Sequence, residues 1–402
     1  MSATGAVGGD GAAGLAGRDR IVATYRVRLP PGGRIAELAR AICLEQTVEV
    51  VESLAQDPWI QAEILGEVQE ITPLGGAEYR VLIAYPPAIV AGSLPQLLGV
   101  LYGNISLQRG ILLEQLLLPP TVVAQFPGPR HGVPGLRALL EVPDRPLVAS
   151  ALKPLGRSPA ELAAICEQLA RGGVDLIKDD HGLADHPFCP FRERVEACVA
   201  AIDRAARVTG RRARYLPSLS ERFDTLLERA RWAQRAGVGG LLLAPLVTGI
   251  DALRALAADP QLDLPLMAHP GLTGSFFAPP VEGDGPPGQG IAADVLLGTL
   301  FRLAGADLVI FPSPGGRFPF TPATCARIAA ALAAPLGELP AAYPVPAGGV
   351  TSARLPELAA AYGRDVVFLI GSDLLAHTAD LAARAQEICR QVGSLWPPEK
   401  TR

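Results

Sequence analysis

No two cysteines in this 402-residue sequence are spaced as C-x-x-C. The six, Cys43, Cys166, Cys189, Cys198, Cys325 and Cys389, are scattered, which argues against a disulfide framework or a zinc site. Five of the six sit in or beside apolar or helical segments and read as buried thiols. There is no long basic run, and the formal net charge is −4, so nucleic acid is not an expected partner. A local positive pocket for a small anion remains compatible with that balance. No apolar run reaches the roughly 18 residues that span a bilayer, so no membrane partner is expected. Residues 1–18 are rich in Gly and Ala and lack the basic start and sustained apolar run of a secretory signal. They read as a disordered tail on a cytoplasmic protein.

What the chain has is apolar material, 49% of its residues, enough for one large core and a smaller one. Two patterns divide it. Over 19–145 strands and helices mix irregularly, which suggests an α+β domain. Ile21–Leu29 alternates as a half-buried strand does, Ile35–Cys43 reads as a helix, and Val48–Val51 and Tyr79–Ala84 read as strands. Leu94–Leu101 is apolar throughout and fits a buried helix or a buried strand.

Over 146–402 short apolar runs alternate with amphipathic helical stretches. The runs are Leu147–Leu152, Val174–Ile177, Arg214–Leu216, Gly240–Leu243, Leu264–Ala268, Leu308–Phe311, Ala342–Val345 and Val366–Ile370. That number of βα units over roughly 250 residues is the size of a closed (β/α)₈ barrel, with a doubly wound open sheet as the alternative. One helix states its limits clearly. Ser158 caps it, Pro159 opens it, Glu161 completes a capping box, and Gly172-Gly173 ends it.

Barrels of this kind carry function at the C-terminal ends of their strands. The first run ends in Lys153, the second in Lys178-Asp179-Asp180-His181, and the fifth in His269. Strand alternation points Lys178 and Asp180 to one side, and Asp179 and His181 to the other until the strand breaks. A carboxylate beside an imidazole suits a divalent cation, and a strand-end lysine suits a base; a solvated loop with local ion pairs is the competing reading. Glycine-rich turns follow the last three runs, at Gly315-Gly316, Gly348-Gly349 and Gly371-Ser372. Phosphate sites often use the loops after strands seven and eight, and Arg317 offers a bidentate partner; ordinary tight turns are the bland alternative. His131, His186 and His377 read as structural or surface residues.

These residues resemble the RuBisCO large-subunit family. Gly172 to Asp180, with Pro187-Phe188-Cys189-Pro190-Phe191 after it, is similar to that family's metal-binding strand. Lys153-Pro154-Leu155-Gly156 resembles its first-strand lysine motif, and Glu45-Gln46-Thr47 the segment that reaches a partner's active site. Pro119-Pro120, Phe126-Pro127-Gly128-Pro129 and His131-Gly132 look like its linker into the barrel. Ala347-Gly348-Gly349 and Leu369-Ile370-Gly371 look like its phosphate loops. The likeness runs in order from about Tyr25 to His377.

The departures matter as much. The family's first-strand motif carries two lysines around a proline, whereas Leu155 follows Pro154 here. His181 replaces a metal-binding glutamate, the sixth loop (Phe311 to Phe318) contains no lysine, and Pro270 replaces an arginine after His269. These changes imply a RuBisCO-like protein that does not fix carbon dioxide. The Lys-Asp-Asp-His-Gly and Gly-Gly-Arg-Phe strings look like those of that group.

The resemblance implies an N-terminal ferredoxin-like α+β domain before the barrel. It also implies a sugar-phosphate substrate, a metal-stabilised enediolate, and an obligate homodimer or a multiple of it. Lys178, as a carbamate, would hold Mg2+ with Asp180 and His181. Lys153, Lys178 and His269 would serve catalysis, and Arg317, Gly348, Gly349, Gly371, Ser372 and Glu45 the substrate. Loss of the sixth-loop lysine and the extra arginine favour decarboxylation of a 3-oxo sugar-acid phosphate, of the 3-oxo-isoapionate-4-phosphate type. The alternatives are an isomerase or enolase acting on 5-methylthioribulose-1-phosphate or a related methylthio-sugar phosphate, and a catalytically inactive sugar-phosphate sensor.

Overall fold

Alternating and apolar residues between 20 and 117 build a mixed sheet in the computed structural model, which describes residues 19–220, 222–278, 288–375 and 380–396. The expected tail, 1–18, and His377 lie outside the described residues. The chain divides into two compact units. The first holds residues up to Phe126 together with Thr273–Leu296 and Leu336–Glu338, and the second holds the rest.

The first unit carries a six-stranded sheet. Its strands are β1 (Ile21–Arg28), β2 (Glu67–Gly75), β3 (Glu78–Tyr85) and β4 (Ile111–Leu117), in the order β4-β1-β3-β2. β1 is central and antiparallel to both neighbours. It is therefore buried along most of its length rather than on one face alone. The helix α1 runs Ile35–Thr47, longer than its pattern suggested, and packs on β2 and β3. Val48–Val51 is no strand: Val48 closes α1, and a short 3-10 turn begins at Glu52. Leu94–Tyr102 resolves as a helix, α2, because Ser93 accepts the Gln96 N–H at its start and Pro stands in its first turn. The Tyr25 hydroxyl donates to Leu101 O at 2.7 Å and tethers the sheet to α2.

The second unit is a parallel barrel. Its strands are β5 (Leu147–Leu152), β6 (Leu176–Asp179), β7 (Arg214–Leu216), β8 (Leu241–Leu243) and β9 (Leu266–Ala268). Two short strands, β10 (Phe277–Ala278) and β11 (Gln289–Ile291), then extend the first unit's sheet along β4. The barrel resumes with β12 (Leu308–Pro312), β13 (Tyr343–Ala347) and β14 (Val367–Leu369). All pairings are parallel, in the orders β14-β5-β6-β7 and β13-β12-β9-β8. A bridge between Ser218 and Leu242 joins the two sets on one side, and β13 lies beside β14 on the other. Closure removes the exposed edges that an open sheet would keep.

The barrel interior is aliphatic, with Leu147, Leu176, Leu216, Leu242, Met267, Leu308, Val345 and Val367 in one buried cluster. The helix α3 (Gly132–Leu140) adds Leu136 and Leu140 to that cluster and plugs the end where the strands begin. Asp307, just before β12, fixes this plug: it accepts the N–H groups of His131 and Gly132, each at 2.7 Å, and of Leu266 at 2.8 Å. The helix α4 (Pro159–Arg171) follows β5 with the expected box of Ser158 and Glu161. The next helix, α5, is Phe191–Thr209. All six cysteines are free, five of them buried. No helix among the described residues is long and apolar enough to cross a membrane.

Candidate active site at the barrel mouth

β6 runs two residues further than its apolar run, to Asp179, so Lys178 and Asp179 lie within the strand while Asp180 and His181 begin the loop. Alternation then separates two roles. Asp179 faces outward, fully buried. It accepts from Arg194 Nε at 3.0 Å, Tyr215 Oη at 2.7 Å and the Ser218 N–H at 3.0 Å. It thereby braces α5 and β7 against β6, a structural use of a charge that water would otherwise solvate.

The other side carries chemistry. Lys153, one residue beyond β5, places Nζ 2.7 Å from Asp180 Oδ2. His181 Nδ1 lies 3.2 Å from Asp180 Oδ1. The His181 ring stacks on His269, one residue beyond β9, with centroids 4.1 Å apart and planes 12° off parallel. His181 thus turns to the Lys178 side once the strand ends. Lys178 is almost wholly buried and donates to Asp179 O at 3.0 Å. Strand ends thus bring Lys153, Lys178, Asp180, His181 and His269 into one cluster.

The cluster shifts its own protonation. Burial is the largest effect on Asp180 and acts upward. Hydrogen bonds to His181 and Lys153 outweigh it and hold the carboxyl well below the usual range. Burial brings Lys178 down to about 8; Asp180 resists the fall and Lys153 adds to it. Burial, then the charges of Lys178 and His181, brings His269 down to about 2. The Gly271 N–H donates to His269 Nδ1 at 3.1 Å, so the neutral ring keeps its proton on Nε2.

Among the described residues no three His, Cys, Asp or Glu side chains converge as metal ligands. Asp180 and His181 form a pair, and a third ligand would have to come from Lys178. The carboxylate of Asp180 and a carbamate on Lys178, which turns an amine into an oxygen ligand, suit a hard divalent cation, whereas the His181 imidazole is a softer donor than such an ion favours.

A second group lies on the loops after β12 and β13. Gly316 meets Gly348-Gly349 so closely that a Cβ on Gly316 would fall 1.8 Å from Gly348 O. Gly348 and Gly349 have φ of 75° and 111°, which a side chain would strain. Arg354 donates to Gly349 O at 3.2 Å. Nothing in the sequence pattern marked this arginine, which sits in a 3-10 turn after the glycines. Gly371 precedes a short helix that begins at Ser372. In that helix Asp373 accepts the Ser352 N–H at 3.1 Å, linking the loops after β13 and β14. Arg317 is exposed and lies over the Phe318 ring, 5.6 Å from its centroid. Glu45 belongs to the first unit, where it accepts from Asn104 at 2.8 Å, while Gln46 is locked between Gly99, Val100 and Ile105.

Comparison with known proteins follows the same lines. The catalytic domain of the ribulose bisphosphate carboxylase large chain matches residues 132–311. The ribulose bisphosphate carboxylase-like protein 1 of Rhodopseudomonas palustris is 40% identical over 376 residues, 94% of this chain and 98% of its own. The 5-methylthioribulose-1-phosphate isomerase of Rhodospirillum rubrum is 42% identical over 359 residues, 89% of this chain and 92% of its own. Among solved structures, a dimeric archaeal Rubisco from Hyperthermus butylicus superposes with a TM-score of 0.84 at 26% identity, covering 94% of this chain and 90% of that one.

Proposed function

The chain belongs to the ribulose bisphosphate carboxylase large-chain family, as a RuBisCO-like protein, and from that membership we propose that it isomerises a methylthio-sugar phosphate, 5-methylthioribulose 1-phosphate or a close analogue, through an enediolate, and fixes no carbon dioxide. The observation that carries the reading is the joined cluster of Lys153, Asp180, His181, His269 and Lys178 at the strand ends, beside a sixth loop with no lysine. The relative from Rhodospirillum rubrum supports the substrate class. Decarboxylation of a 3-oxo sugar-acid phosphate leans on Arg317, and the exposed placement of that side chain over Phe318 adds no support.

Lys153 Nζ carries the proton at the carbon beside the carbonyl, since it stands at the mouth and is partly exposed. His269 stays neutral and donates from Nε2 to the oxygen that gains charge. The glycine loops after β12 and β13 hold the phosphate through backbone N–H groups, with Arg317, Gly371 and Ser372 beside them. A Mg2+ ion held by Asp180, His181 and a carbamate on Lys178 would supply positive charge for the enediolate oxygens. The active form is a homodimer or a multiple of it, with Glu45 presented to the partner's site; the dimeric Rubisco supports this assembly.

The test is turnover of 5-methylthioribulose 1-phosphate by pure protein with magnesium, run beside labelled bicarbonate and ribulose bisphosphate. Isomerisation and no label uptake are expected. Asp180→Asn should lower kcat far more than it raises KM, and Lys153→Ala should lose about 100-fold or more, the scale of general acid–base catalysis. Tight binding without turnover would make the protein a sensor, and label uptake would overturn the reading of the sixth loop.

A further inference from the structure

Opposite the mouth, at the end where the strands begin, the second unit holds a cavity of about 190 Å³. That is well above the roughly 30 Å³ of one water in the liquid. Its walls are the turns before β6 and β7 and the end of α3, and three arginines line it: Arg211, Arg212 and Arg214. Active sites of this fold lie at the other end, so the mouth chemistry does not account for them.

The arginines differ in what they already hold. Asp175 takes both Arg145, at 2.7 and 2.8 Å, and Arg211, at 3.1 Å, so two cations share one carboxylate. Arg212 pairs with Asp203 at 3.0 Å and reaches Gly237 O. Arg214 makes no ion pair among the described residues. Among the described residues its side chain donates only from Nη2, to Leu139 O at 2.8 Å; its Nε is shielded from solvent and out of a ligand's reach, which leaves Nη1 as the unused donor that an anion could take. Burial, then the charge of Arg212, acts against its protonation, with Glu141 opposing. A half-buried guanidinium with an unused donor beside two more arginines is a site short of negative charge. Glu141 also lines the cavity, but it is exposed and forms no ion pair among the described residues. It is free to swing out when an anion enters.

We propose that this cavity binds a small oxyanion of the phosphate class, held by Arg214 and Arg212, separately from the mouth. Free phosphate and the head of a phosphate monoester share that chemistry.

Calorimetric titration of the intact protein with inorganic phosphate, and separately with glycerol 3-phosphate, tests it. Saturable binding is expected that weakens about tenfold or more in Arg214→Met, the scale of one charge-assisted hydrogen bond. Arg212→Gln should weaken it in the same direction, and Glu141→Gln should tighten it. Response to phosphate alone identifies the free ion as ligand, and response to both extends the site to esters. Binding at the mouth would answer instead to Arg317→Ala, so failure of the isomerase reading leaves this result standing. Equal affinity in the wild type, Arg212→Gln and Glu141→Gln overturns the proposal, as does a lack of saturation at millimolar phosphate. Those two exposed positions keep the test valid if Arg214→Met does not fold.

Discussion

Lys178 bears a cost that a lysine in water does not. Burial holds its amine down to about 8 from 10.5. The unfolded chain keeps that proton up to 10.5, whereas the folded protein releases it near 8. Between these values the unfolded state binds more protons, so the lysine makes stability rise with pH across that window. Below about 8 the penalty is constant and full. Lys178→Met should therefore be more stable than the wild type at pH 7, with the difference vanishing towards pH 10.5. Urea unfolding of both proteins in buffers free of carbon dioxide measures this. Parallel stability curves would show that the amine is not desolvated as the structure has it. The same lowering leaves a larger uncharged fraction of this amine near neutral pH than a free lysine has, which favours carbamate formation because only an uncharged amine attacks carbon dioxide.

At the scale of elements, the seating of α3 rests on one carboxylate. The first N–H groups of a helix have no partner within it. Here the side chain of Asp307, from the start of another strand, takes those of His131 and Gly132 while also holding Leu266 at the start of β9. Asp307→Ala would strand buried donors on two elements, a loss on the order of 3 kcal/mol or more. A thermal melt reads it, and a change below about 1 kcal/mol, the scale of one ordinary hydrogen bond, would show that the plug is held by apolar packing alone. The loops at the opposite end obey a different constraint. Gly316 and Gly348-Gly349 touch backbone to backbone, so the turns after β12 and β13 leave no room for a side chain between them.

At the scale of the whole molecule, assembly is the open consequence of family membership. A two-fold dimer has the same patch on both subunits. Light scattering at micromolar concentration is expected to give a mass of at least twice 42.0 kDa. A stable monomer that still turns over substrate would remove Glu45 from the proposed site. The two proposed anion sites, the glycine loops at the mouth and the arginine cavity at the base, stand at opposite ends of one barrel. Both rest on strand ends that the aliphatic interior holds in place.

The sequence by itself determined the eight apolar strand segments of the second unit and the strand-end positions of Lys153, Lys178, Asp180, His181 and His269, while the strand order and the closure of the barrel are read from the pairings. Apolar periodicity and turn glycines are local signals, and the capping box at Ser158 and Glu161 is spelled out within four residues. β2 and β4 escaped that reading, and Val48–Val51 misled it, because strands in a mixed sheet owe their state to neighbours far along the chain. Only the tertiary structure decided which carboxylate of Asp179-Asp180 serves the fold: Arg194, Tyr215 and Ser218 come from later elements to claim Asp179. It likewise stacked His181 on His269, set Arg354 beside the glycines, and left Arg214 with a donor to spare. Each of these depends on distance between residues remote in sequence, and burial and charge act through space rather than along the chain.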